Sequence, residues 1–167
     1  MWKLLAILAA FALDIESTTA NLLKTCRELG IAVVAYSPVG RGILTGEIRS
    51  PADIPEGDFR CVAPKYSEEN FPKILELVNG LKAVAQVHGS TPAQVAIAWL
   101  LAQGPDIFPI PGTRSPKRVD ENTASAPLEL TDKEVQVIRD LVERTEIVGT
   151  RYPAMIMGNI FADTPPL

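Results

Sequence analysis

The sequence predicts an α/β fold built on a parallel sheet. Ile31–Tyr36 (IAVVAY) is a continuous apolar, β-branched run, the pattern of a strand covered on both faces, and such strands belong to parallel sheets. Ile107–Ile110 (IFPI) reads as a second short buried strand that stops at Pro111-Gly112. Both strands run into glycine-bearing turns, and parallel α/β folds gather their sites at those ends.

The chain has 167 residues, 47% of them hydrophobic and 22% charged, enough for one domain with a core over residues 1–167. A formal net charge of −4 argues against a general nucleic-acid or acidic-membrane binder, so a bound anion must be gripped locally. Cys26 and Cys61 are too few for a disulfide framework and lack metal-ligand spacing. The single histidine, His88, precedes Gly89 at an expected helix end, where capping or solvation suits it better than catalysis. No metal is expected.

Residues 1–10 are the atypical segment. Lys3 followed by an apolar, alanine-rich run resembles a secretory signal but is shorter than the roughly 20 residues of a membrane span. A strand or a helix is the other reading. Nothing downstream looks secreted, and a cytoplasmic location is the expectation.

A first helix is predicted over Ser17–Leu29, with Leu22, Leu23, Cys26 and Leu29 on one face and Gly30 ending it. The strand Ile31–Tyr36 then opens into Ser37–Gly46 (SPVGRGILTG). Its glycines let backbone amides approach a ligand, so it is either a phosphate cradle or an ordinary crossover; its spacing fits neither common nucleotide fingerprint. Residues 47–66 read as a long surface loop. Ile74, Leu77, Val78, Leu81, Val84 and Ala85 mark a strong helix that Gly89 stops. Thr91-Pro-Ala-Gln94 is a capping box launching the next helix, where Trp99 is expected in the core. Ser115-Pro116 opens a helix after the second strand, with Ser115 as its N-cap. Gly112, Thr113, Arg114, Lys117 and Arg118 crowd that turn, which is either an anion site or a basic surface cap. Thr131–Glu134 is a further capping box, starting a helix with Val135, Ile138, Leu141 and Val142 inward. The tail from Arg144 to Leu167 reads as mostly irregular.

Three segments in this order, AYSPVGRGILTG (35–46), TPAQVAIAWLLAQG (91–104) and IPGTRSPKRVDEN (110–122), together resemble the C-terminal half of an aldo-keto reductase. The resemblance covers nearly the whole chain and implies part of a (β/α)8 TIM barrel, with Ile31–Tyr36 as its seventh strand and Ile107–Ile110 as its eighth. It implies an oxidoreductase that binds NADP(H) and acts on a small-molecule carbonyl substrate. On that resemblance Tyr36 stacks on the nicotinamide, while Ser37, Val39, Gly40 and Arg41 wrap the pyrophosphate through backbone amides. Thr113 and Arg118, beside the Gly112 turn, hold the 2′-phosphate. Arg114 covers the adenine, and Glu121 and Asn122 meet the adenosine edge.

The family's catalytic Asp, Tyr, Lys and His come from the first barrel half and have no counterparts in this sequence, so no catalytic residue is assigned. Met1–Ala10 does not match the sixth strand expected at that place. A truncated reductase is therefore the expectation. A non-catalytic nucleotide-binding module, or one that completes another barrel, is the alternative. Two strands cannot close a barrel, so exposed barrel faces predict aggregation or self-association.

Overall fold

The computed structural model describes residues 4–7, 22–145 and 152–157. Its sheet is parallel and three-stranded, in the order β1 (Leu4–Ile7), β2 (Ala32–Tyr36) and β3 (Ile107–Ile110). The first of these strands corrects the two-strand expectation. Leu-Leu-Ala-Ile has no local preference that separates strand from helix. Pairing decides it, with Leu4 opposite Ala32 and Ile7 opposite Ala35. The rest of the apolar start and the expected helix onset at Ser17 lie outside the described residues.

The helices are α1 (Leu22–Glu28), α2 (Phe71–Val87), α3 (Pro92–Leu101), α4 (Pro116–Thr123), α5 (Asp132–Thr145) and a short α6 (Ala154–Met157) in the tail expected to be irregular. Leu23 and Cys26 of α1 are buried, whereas Leu29, expected beside them, lies just past the helix and is exposed. All six inward positions expected on α2 are buried. α2 packs on both α3 and α5, and α3 packs on β3. A Cβ at Gly80 would collide with Leu141, so the helices α2 and α5 approach closely at that glycine.

Both expected capping boxes form. Thr91 accepts from the Gln94 amide at 3.3 Å while its own amide donates to Gln94 Oε1 at 2.9 Å. Glu134 N and Thr131 Oγ1 repeat the arrangement at 3.3 Å, with Thr131 N donating to Glu134 Oε2 at 2.8 Å. His88 is the C-terminal cap residue of α2, and its Nε2 lies 2.8 Å from Glu134 Oε1, tying the end of α2 to the start of α5. Trp99 is in the core, and its indole N–H donates to the Val135 carbonyl at 3.0 Å.

Ile107–Ile110 (β3) is not the buried strand expected, and Ile31–Tyr36 is not covered on both faces as expected. Ile107 is 3% exposed, but Phe108 and Ile110 are 50% and 52% exposed. Their cross-strand partners Val34 and Tyr36 are only half-buried. Alternate residues of a strand face opposite sides. One side of this sheet rests on helices and the other is open among the described residues.

Residues 47–66 correct the loop expectation more sharply. They form three tight 3-10 turns, Pro51–Asp53, Phe59–Cys61 and Pro64–Tyr66, and bury Ile54, Ala63, Lys65 and Tyr66. Short turns carry no hydrophobic period, so the pattern along the sequence does not betray them.

Candidate functional site

A cavity of about 770 Å³ opens at the C-terminal ends of β2 and β3, within the size range of ligand pockets. Tyr36 ends β2, and its neighbours Ser37, Pro38, Val39, Arg41 and Gly42 form one wall. Ile110, Gly112, Thr113, Arg114, Ser115, Arg118 and Asn122 form the opposite wall, with Thr45, Glu47, Ile48, Arg60 and Ala93 completing it. Two stretches far apart in sequence thus meet because β2 and β3 are parallel neighbours ending at the same edge.

Of the residues singled out above for the two turns, Gly40, Lys117 and Glu121 do not line the cavity. Gly40 is buried behind it, its carbonyl accepting from the Tyr66 hydroxyl at 3.3 Å. Glu121 Oε1 accepts from the Thr91 hydroxyl at 2.8 Å and the Glu121 carbonyl from Gln94 Nε2 at 3.1 Å, so Glu121 anchors α4 to the start of α3. Ser115 stands at the N-cap position, but its side chain makes no capping bond. Thr113 Oγ1 accepts from the Ser115 amide instead, at 3.1 Å, and thereby fixes the turn.

The loop after β2 is wound left-handed. Ser37 (φ 53°), Gly40 (φ 57°), Arg41 (φ 56°) and Gly42 (φ 88°) all have positive φ. That conformation costs a non-glycine residue about 1–2 kcal/mol, so the surroundings must hold it. The Gly40 and Gly42 amides donate inward to the Ser37 and Val39 carbonyls. The Val39 and Arg41 amides take no part in the loop's internal bonding. The Arg41 guanidinium lies over the Phe59 ring at 4.4 Å and the Tyr152 ring at 5.1 Å.

Among the described residues four arginines line the cavity, Arg41, Arg60, Arg114 and Arg118, against the single carboxylate of Glu47. An overall acidic chain therefore keeps a local cationic pocket. Arg118 is engaged: its Nη2 donates to Glu47 Oε2 at 2.7 Å across the cavity and its Nη1 is 4.0 Å from Glu121. Arg114 is exposed and has no ion-pair partner among the described residues. Among those residues no three His, Cys, Asp or Glu side chains cluster as a metal site, and no helix is long and apolar enough to cross a membrane.

Sequence reasoning missed Arg60 and Glu47. Arg60 sits in the segment read as surface loop, where its guanidinium pairs with both oxygens of Asp58 at 2.9 and 2.8 Å. The Asp58-Phe59-Arg60 spacing was the available signal, because an Asp two residues before an amide it can accept from makes a tight turn. Hydrogen bonds from the Arg60 side chain and then its amide hold the Asp58 carboxyl down at about 2. A depressed carboxyl stabilises the fold above its unfolded value and loses that contribution as pH falls through the folded one. The difference in thermal midpoint between the unmodified chain and Asp58→Asn should therefore be constant near neutrality and shrink between about pH 4 and about pH 2. A difference that persists to the acid end would contradict the pairing.

Residues 12–143 match the aldo/keto reductase family model. The NADP(+) aldo-keto reductase Yakc of Schizosaccharomyces pombe is 48% identical over 157 residues, covering 94% of this chain and 46% of that protein. The aldo-keto reductase Str7 of Strobilurus tenacellus is 49% identical over the same span. The chain thus spans about half the length of the curated relatives it matches. A glycerol dehydrogenase of Gluconobacter oxydans superposes with a TM-score of 0.68 at 27% identity, over 77% of this chain and 39% of that structure. The three-stranded sheet with its outer helices is an unclosed part of a (β/α)8 barrel. With the family model matching most of its length and a cationic cavity at the strand ends, this chain belongs to the aldo/keto reductase family.

Proposed function

We propose that this chain is the NADP(H)-binding part of a carbonyl reductase. The observation carrying this reading is the cationic cavity, which brings the left-handed loop and the Gly112–Arg118 turn to face each other across the ends of β2 and β3. The donor set suits a phosphorylated dinucleotide: two amides outside the loop's own bonding on one wall, and a guanidinium at a helix start on the other.

Bound NADPH supplies a hydride to a carbonyl carbon. Tyr36 offers its ring at the strand end where the cavity begins, a surface for the nicotinamide. The Ser37–Arg41 loop receives the pyrophosphate through the Val39 and Arg41 amides. Thr113 and Arg118 take the 2′-phosphate, Arg114 lies against the adenine as a cation–π partner, and Asn122 meets the adenosine edge. Glu121 acts one step back, by fixing α4.

Reduction also needs a proton for the developing alkoxide. Among the described residues no lysine or histidine lines the cavity, and the catalytic Asp, Tyr, Lys and His of the family find no match in this sequence. We therefore name no proton donor among the described residues and expect the 167-residue chain to bind cofactor without turning it over. Fluorescence titration with NADPH beside an aldehyde-reduction assay tests this. Binding without turnover is the expected result. Turnover that survives Tyr36→Phe would mean that an acid within these residues does the work.

A further inference from the structure

We infer that Arg60 and Tyr66 are positioning residues that hold the left-handed loop in its ligand-ready shape, setting dinucleotide affinity without reading the 2′-phosphate. The inference rests on the cofactor reading above for its ligand and on geometry for its mechanism. Arg60 Nη1 donates to the Arg41 carbonyl at 2.9 Å, and the Tyr66 hydroxyl donates to the Gly40 carbonyl at 3.3 Å. Two successive carbonyls of the strained stretch are thus gripped by one segment, residues 58–66.

The grip is itself rigid. Asp58 fixes the Arg60 guanidinium through both oxygens and accepts from the Arg60 amide at 2.8 Å. Tyr66 is 6% exposed. Gly42 lies against the same guanidinium, where an added Cβ would stand 3.6 Å from Arg60 Nη1. The Gly40 carbonyl shares a peptide plane with the Arg41 amide, and the Arg41 carbonyl shares one with the Gly42 amide, so turning either plane to release these bonds would turn an amide of the loop with it. The side chains therefore act through the backbone, and every dinucleotide that uses the loop should feel them equally.

The test compares the 167-residue chain with Arg60→Ala, Arg60→Lys and Tyr66→Phe. NADPH and NADH are titrated by fluorescence, and amide hydrogen exchange is followed in the cofactor-free proteins. Arg60→Ala should weaken both cofactors roughly tenfold, since it removes a hydrogen bond from a charged donor, and Tyr66→Phe should weaken both about threefold. The ratio of the two affinities should stay as it was. Arg60→Lys should behave like Arg60→Ala, because an ammonium keeps the charge but not the fork that spans Asp58 and Arg41. Exchange should quicken within residues 39–46 and not in α2.

Unchanged affinities would overturn the inference. A changed NADPH-to-NADH ratio would overturn it too, by placing Arg60 on the 2′-phosphate directly. Exchange rising equally in the loop and in α2 would reduce both residues to general stabilisers. If the unmodified chain binds neither cofactor, the cofactor reading fails by itself, and exchange confined to the loop still decides whether these residues position it.

Discussion

Arg118→Ala should abolish most of the preference of this chain for NADPH over NADH while weakening NADH little. The 2′-phosphate carries close to two negative charges, and each charge-assisted hydrogen bond contributes about 1.5–3 kcal/mol. The guanidinium is not idle beforehand, since Glu47 holds it at 2.7 Å. That pair is solvent-accessible, with side-chain exposures of 39% and 66%, and such pairs contribute at most about 1 kcal/mol. The phosphate wins the exchange, leaving a preference of about tenfold or somewhat more. Glu47→Gln should therefore tighten NADPH slightly and leave NADH alone. Arg114→Ala should weaken both cofactors together, because stacking on adenine does not sense the 2′ position. Added salt should shrink the Arg118 effect. Equal NADPH affinity in Arg118→Ala and the unmodified chain would remove Arg118 from the phosphate site.

Trp99→Ala should be the most damaging single substitution in the core. The side chain is 2% exposed, its N–H satisfies the Val135 carbonyl at 3.0 Å, and the Arg139 guanidinium lies 5.3 Å from its ring. Truncating a buried Trp costs about 3–5 kcal/mol, a large share of the roughly 5–15 kcal/mol that a domain has. Among the described residues one face of the sheet is open, so the reserve is smaller. Trp99→Phe keeps much of the volume and loses mainly the hydrogen bond, about 1 kcal/mol. Urea midpoints of the two variants should differ accordingly. A cost below about 1 kcal/mol for Trp99→Ala would mean that α3 and α5 are not packed through this ring.

Periodicity and capping chemistry made most of the helical frame legible. The inward stripe of α2 and the boxes Thr91–Gln94 and Thr131–Glu134 needed no tertiary information, because i to i+3 hydrogen bonds and a 3.6-residue repeat are local. The two glycine-bearing turns were legible for the same reason, and their meeting followed from two parallel strands. What the sequence hid depends on pairing across distance. Leu4–Ile7 becomes a strand only against Ala32–Ala35. Phe108 and Ile110 look like core residues until the open side of the sheet is seen. Arg60 reads as one more charge in a loop until its contact with Arg41, 19 residues away, is known. Glu47 reaches Arg118 over a separation of 71 residues, beyond the reach of any local pattern.

If this cavity holds a dinucleotide by its 2′-phosphate, the ratio of NADH to NADPH dissociation constants for the unmodified 167-residue chain at low salt must show it. A ratio of about ten or more in favour of NADPH is expected, falling as salt is raised. Equal dissociation constants at low salt would contradict it.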